Sequence, residues 1–266
     1  MANPTGKRMM LPCNQKSAFR NPPSELPFSL LLGIFLTSAA TLTLEISLTR
    51  LLAVAQWHHF AFMVVSMALL GYGASGSFLS SFPSFLRRDT TRTLVHAAWF
   101  FSFSTLIAYL LSNLIPFDVA RLSWDRWQIF YIFLYYLVFS IPFFFSGLAI
   151  SSALARWSAL SGKLYFSDLI GASLGCLLVL VLFGVFGGPG TLLFSCVLGG
   201  LASVAFAWDI RPISIFRWLW VCLLIPFLFW QPPPLNLRLS PYKGLNVALL
   251  FPGARLLETH WTVFSR

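Results

Sequence analysis

Two ionisable residues, Glu45 and Arg50, lie in the first long apolar stretch of this 266-residue chain. Charged groups at membrane depth are costly, and they commonly mark proton, ion or substrate sites. Five positions place the two side chains about 140° apart on a helix, which is not the spacing of an ideal ion pair. Two interpretations stay open. The pair is either an ion pair or interfacial anchor that fixes packing, or a site for a proton, an ion or a substrate.

Four further polar residues are weaker candidates. His58 and His59 are adjacent, so their side chains diverge, whereas a metal site needs convergent ligands; we predict an interfacial location for both. His96 stands alone in a later apolar run, where we expect a hydrogen bond across helices. Asp168 follows Ser167 at the predicted start of another run. This pair either caps free amides at the helix start, or Asp168 is a functional carboxylate.

Two glycine motifs lie within apolar runs. Gly71, Gly73 and Gly76 match the pattern G-x-G-x-x-G, and Gly171 and Gly175 match G-x-x-x-G. Dinucleotide binding requires a strand before the first pattern and a helix after it, and an apolar run supplies neither. Both motifs instead predict thin helix faces that neighbouring helices approach closely. No nucleophile arrangement, phosphate loop or metal cluster is recognisable, so the sequence predicts no cofactor, no metal and no complete active site.

The elements that must position these residues are long and apolar. Mean hydropathy is +0.78, and 10% of residues are charged, against about 25% in ordinary soluble domains. About eighteen apolar residues suffice to cross a bilayer, where a helix satisfies the backbone hydrogen bonds internally. We therefore predict an all-α polytopic membrane protein with about seven transmembrane helices, at residues 28–55, 59–82, 93–117, 128–155, 167–186, 191–208 and 213–230.

The basic residues predict the orientation. They lie in short loops rather than in one stripe, so the net charge of +10 does not indicate a nucleic-acid partner. With the N-terminus inside, the basic residues of the tail and of the second, fourth and sixth loops are cytoplasmic, whereas the opposite loops hold only Arg121 and Arg126 as basic residues. The positive-inside rule then predicts a multi-pass protein of the bacterial inner membrane with a cytoplasmic N-terminus and the lipid bilayer as its partner. Seven spans place the C-terminus outside.

The chain divides into three predicted regions. Residues 1–27 form a basic, disordered cytosolic tail, and residues 28–230 form the transmembrane domain. In residues 231–266 a proline run predicts a stiff linker, and Pro252-Gly253 predicts a turn between two short runs. This pattern indicates a short C-terminal β-hairpin-like extension, which by itself is barely stable.

A resemblance to a known family rests on an ordered set of segments. They are residues 45–53 (EISLTRLLA), 57–73, 165–176 (YFSDLIGASLGC), 187–190 (GGPG), 240–245 (SPYKGL) and 261–266. With these segments the chain resembles bacterial membrane proteins of the spermidine synthase-like kind, also described as fused polyamine aminopropyltransferases. The resemblance implies a multi-span N-terminal region followed by a soluble aminopropyltransferase domain, of which residues 231–266 look like the beginning.

The resemblance transfers no catalytic residue. The family's active site, as the resemblance implies it, needs a glycine-rich loop for decarboxylated S-adenosylmethionine and a catalytic aspartate, and these 266 residues contain neither. Lys243, beside Tyr242, stands where the family is expected to have a glutamine. We therefore expect a membrane module without catalytic activity alone, partnered by a separate aminopropyltransferase-like domain. The alternatives are a small ion-coupled or polyamine-related transporter and a structural subunit that binds other membrane subunits.

Overall fold

The computed structural model describes residues 26–56, 61–82, 89–117, 121–122, 124–208, 215–230 and 251. Over these ranges the regular structure is helical, and none of them contains a strand. A short 3₁₀ turn, Ser158–Leu160, precedes the fifth of six α-helices. The helices are α1 (Phe28–Ala55), α2 (Ala61–Ser81), α3 (Thr90–Leu114), α4 (Trp127–Arg156), α5 (Ser161–Ala207) and α6 (Ile215–Phe229).

The prediction of an all-helical chain with several membrane-length apolar helices is confirmed for the described residues. Helices α1 to α5 are long and apolar enough to cross a membrane, whereas α6 has 15 residues. Large apolar side chains such as Phe62, Leu177 and Val185 are exposed on the outside of the bundle. Such an outer surface suits contact with a lipid bilayer, since lipid tails solvate apolar groups as well as a protein interior does.

Helix α5 differs from the prediction of two separate spans joined by a four-residue turn. It runs through Gly187-Gly188-Pro189-Gly190 as 47 residues, and Gly187 has a non-helical backbone with φ 69° and ψ −177°. Glycine tolerates this left-handed φ because it lacks a Cβ. Pro189 follows two residues later, where its missing N–H is one of the unpaired donors of a helix start.

The chain folds back on itself at Gly187. Leu164 and Phe206, near the two ends of α5, belong to the same cluster of buried residues. A straight helix would separate these two residues by about 63 Å. The residues before and after Gly187 therefore form two arms, 161–186 and 188–207, that lie side by side in opposite directions.

At one end of the bundle, the starts of α1 and α3 lie beside the ends of α2 and α4. The buried cluster that holds Leu164 and Phe206 also contains Ile34 near the start of α1, Leu79 near the end of α2 and Leu94 near the start of α3. The C-terminal half of α4 contributes Leu148, Ala149 and Ala153. Successive helices are therefore antiparallel, and α1 packs mainly against α5.

Several predicted features lie outside the described residues. These are the tail up to residue 25, His58 and His59, and all of the linker and β-hairpin region except Phe251. The predictions made for them remain predictions.

Candidate functional site

Helix α1 presents a polar face to three other helices. Ser38, Thr41 and Glu45 are spaced three and four positions apart, which places them on one side of the helix. Around this face the structure assembles residues from α2, α4 and α5. We call this set the polar cluster: Ser38, Thr41, Glu45, Tyr72, Ser146 and Asp168.

Asp168 joins α5 to α1 within this cluster. The Ser38 hydroxyl donates a short hydrogen bond to Asp168 Oδ1. Next to it, the Ser167 hydroxyl donates to the Leu31 carbonyl oxygen at 2.7 Å. The prediction that Ser167 and Asp168 cap their helix is wrong, because α5 begins at Ser161 and both residues lie about two turns inside it. Their side chains bind the neighbouring helix instead.

Three hydroxyl groups occupy the centre of the polar cluster. Thr41 Oγ1 and Ser146 Oγ are 2.6 Å apart, and both residues are fully buried. Thr41 is also 2.7 Å from the Thr37 carbonyl oxygen, to which it donates, so Ser146 is the donor to Thr41. The Tyr72 hydroxyl lies beside both of these side chains. The result is a connected group of hydroxyls in the interior of the bundle.

Two carboxylates flank the hydroxyls at different depths. Glu45 lies seven positions after Ser38 on α1, which corresponds to about 10 Å along the helix. The charges of Glu45 and Asp168 both act on the Tyr72 hydroxyl. The ion pair recorded among the described residues is Arg92–Asp89, which involves neither carboxylate of the cluster. The cluster therefore contains two acidic side chains on neighbouring helices.

The second glycine motif explains how α1 and α5 come so close. A Cβ added to Gly171 would collide with the Phe35 carbonyl oxygen, and one added to Gly175 would lie 2.5 Å from that of Ala39. Thr43 Oγ1 donates to the Gly175 carbonyl oxygen at 3.3 Å. This close approach brings Asp168 within reach of Ser38.

The first glycine motif behaves differently at its three positions. Gly71 packs against α4, where an added Cβ would lie 2.6 Å from the Ser140 carbonyl oxygen. Gly73 and Gly76 have no described atom within 4 Å of such a Cβ, so the predicted close packing is wrong for them. The reason is geometric, since these two residues lie on the exposed side of α2 and Gly71 lies on its buried side.

The sequence interpretation missed the hydroxyl residues of the cluster. Ser38, Thr41, Tyr72 and Ser146 are common types in apolar helices, and none was a candidate. One signal was present, because Ser38 and Thr41 share the helical face of Glu45. Gly147 was also missed: an added Cβ there would lie 2.5 Å from Ser75 Oγ.

The chemistry available to this site is the binding of a proton or another cation. Where the chain is described, no three potential metal ligands come together. Asp168 borders a cavity of about 10 Å³, close to the space that one water molecule needs. Carboxylates and hydroxyls grouped inside a helical bundle are typical of proton pathways in membrane proteins. The cavity beside Asp168 is itself lined mainly by apolar residues.

Comparison with known proteins identifies no relative. No family model, no curated protein and no solved structure matches this chain.

Proposed function

We propose that this chain is the multi-pass membrane module of a spermidine synthase-like protein, without catalytic activity of its own, and that it handles a cation inside the bacterial inner membrane. The observation that carries this proposal is the convergence of the resemblance segments. Glu45, Tyr72 and Asp168 come from three of those segments, and both carboxylates are close enough for their charge to act on the Tyr72 hydroxyl. Residues far apart in the chain that form one acidic site suit a functional module better than a passive anchor.

The proposed topology has seven crossings and a cytoplasmic N-terminus. Both arms of α5 count as crossings, because each has the length and the apolar surface of a short span. Arg92, Arg156 and Lys163 lie at the bundle end that holds the start of α1, whereas Arg121 and Arg126 precede α4 at the other end. The positive-inside rule assigns the first end to the cytoplasm.

The separation between the two carboxylates limits which cations they can bind together. Asp168 bonds to Ser38, and Glu45 lies about 10 Å further along α1, so one small metal ion cannot contact both. Two classes of cargo suit this spacing. A proton can pass between the carboxylates through the intervening hydroxyls, and an elongated polyamine can place a separate ammonium group near each carboxylate.

A transport assay with neutralised carboxylates tests the proposal. The purified chain is reconstituted in liposomes, and proton entry and spermidine uptake are measured for the wild type and for Glu45→Gln and Asp168→Asn. We expect at least a tenfold loss of one flux in each variant, because the amide side chains carry no charge. The control is Asp125→Asn, since Asp125 Oδ1 accepts the Trp127 amide at 3.0 Å outside the cluster and asparagine retains this cap.

Unchanged fluxes in both variants would overturn the cation proposal and favour a structural subunit of a larger membrane complex. One observation supports that second function. The outer face of α2 exposes Gly73, Gly76 and Ser77, and small residues of this kind let a further helix dock closely.

A further inference from the structure

We propose that a groove on the outer face of α3 binds the headgroup and the upper acyl chain of an anionic phospholipid. The groove has a volume of about 520 Å³, within the range of small-molecule sites. It is separate from the polar cluster and shares no residue with it. The residues that line it are Asp89, Arg92, Thr93, His96, Ala97, Phe100, Phe145 and Leu148.

The groove changes from polar to apolar along the helix axis. Arg92 lies in the first turn of α3, and His96 lies about 6 Å further along. Phe100 follows one turn deeper, where it stacks on Phe145 of α4 with ring centroids 5.3 Å apart. A phospholipid has the same polarity profile, with a charged headgroup at the surface and an acyl chain below it.

The polar end of the groove is lined by Arg92 and Asp89, and Arg217 of α6 adds a second positive charge near it. The charges of Arg92 and of Arg217 on α6 both act on the His96 side chain. Asp89 offsets part of this charge, since its Oδ2 is 3.4 Å from Arg92 Nε. The guanidinium group of Arg92 suits a phosphate, because its planar fork of donors matches phosphate oxygens.

Helix α6 is held beside this groove by aromatic contacts. Trp99 of α3 contacts Phe216 at 5.9 Å and Trp220 at 6.1 Å between ring centroids. These contacts hold α6, which carries Arg217 directly after Phe216, against α3. Basic grooves between transmembrane helices commonly bind anionic headgroups. A zwitterionic lipid has no net negative charge, and a free phosphate has no chain to fill the apolar part.

Lipid binding by the detergent-purified full chain tests this assignment. Native mass spectrometry measures the binding of phosphatidylglycerol, phosphatidylcholine and inorganic phosphate to the wild type, Arg92→Gln, Arg217→Gln and Arg156→Gln. Arg156 is a matched control, because it is exposed in the last turn of α4 at the same end of the bundle and does not line the groove. Size-exclusion chromatography verifies that each variant is folded.

We expect phosphatidylglycerol to bind the wild type and Arg156→Gln at least tenfold more tightly than Arg92→Gln and Arg217→Gln. Phosphatidylcholine should bind weakly to all four proteins, and millimolar phosphate should not displace phosphatidylglycerol. Equal binding of phosphatidylglycerol by all four proteins would overturn the proposal. Displacement by phosphate would also overturn it, since the site would then recognise a free anion rather than a lipid.

Discussion

At the scale of single residues, the bond between Ser38 and Asp168 ties the acidic site to the packing of α1 on α5. Ser38 is buried, and Asp168 is half-buried. A buried acceptor that loses its donor keeps the full cost of its desolvation. This contact therefore has a structural consequence that is independent of any transport.

We predict that Ser38→Ala lowers the free energy of unfolding by about 1–3 kcal/mol, because Asp168 loses its hydrogen-bond donor. Equilibrium unfolding in mixed micelles measures the change. The matched control is Ser173→Ala: Ser173 is exposed on α5, and its hydroxyl donates to the Leu169 carbonyl oxygen of its own helix at 2.8 Å. That variant should stay within about 0.5 kcal/mol of the wild type. Equal losses in the two variants would contradict the interhelical role of Ser38.

At the scale of the elements, the contact between α1 and α5 depends on residues without side chains. Gly171 and Gly175 meet the α1 backbone directly, and α1 carries half of the polar cluster. A residue with a side chain at position 171 must push the two helices apart. Packing at this point therefore controls the geometry of the site.

We expect Gly171→Ala to destabilise the fold by about 1–3 kcal/mol, the usual cost of overpacking, because the collision is with the Phe35 backbone and not with a flexible side chain. The same unfolding experiment measures it. Gly76→Ala is the matched control, since no described atom lies within 4 Å of the new methyl group. Alanine favours a helix over glycine, so this control should be neutral or slightly more stable. A neutral Gly171→Ala would show that the helices are not in close contact.

At the scale of the whole molecule, the reversal at Gly187 decides the topology. With a reversal, α5 enters and leaves the membrane on the same side; a straight α5 would place its ends on opposite sides. The shared buried cluster of Leu164 and Phe206 requires the first arrangement. The side of the membrane on which each later residue lies depends on whether the chain reverses at Gly187.

Reporter fusions test this topology. We predict that a fluorescent protein fused after Trp157 or after Trp208 is active in the cytoplasm, and that alkaline phosphatase at these points is inactive. The control fusion after Phe117 should give the opposite result, because it follows α3 at the other end of the bundle. Opposite sides for Trp157 and Trp208 would refute the folding back of α5.

The sequence by itself determined the class of protein and most helix positions, because each segment in a bilayer must satisfy its own backbone hydrogen bonds. This requirement applies to each segment separately, so the length and composition of an apolar run are enough to predict a helix. The start of α5 was misplaced because residues 161–166 include Lys163 and look like a loop, although they continue the helix. The two carboxylates were also recognisable, since ionisable residues inside apolar runs are rare.

Only the tertiary structure decided which residues form the site. Ser38 and Asp168 are 130 positions apart, and Thr41 and Ser146 are 105 apart. No local pattern relates such residues, because their contact depends on which helices pack together and in what register. The packing of α1, α2, α4 and α5 brought Asp168 to Ser38 and grouped the hydroxyls of Thr41, Tyr72 and Ser146 on the helical face that carries Glu45.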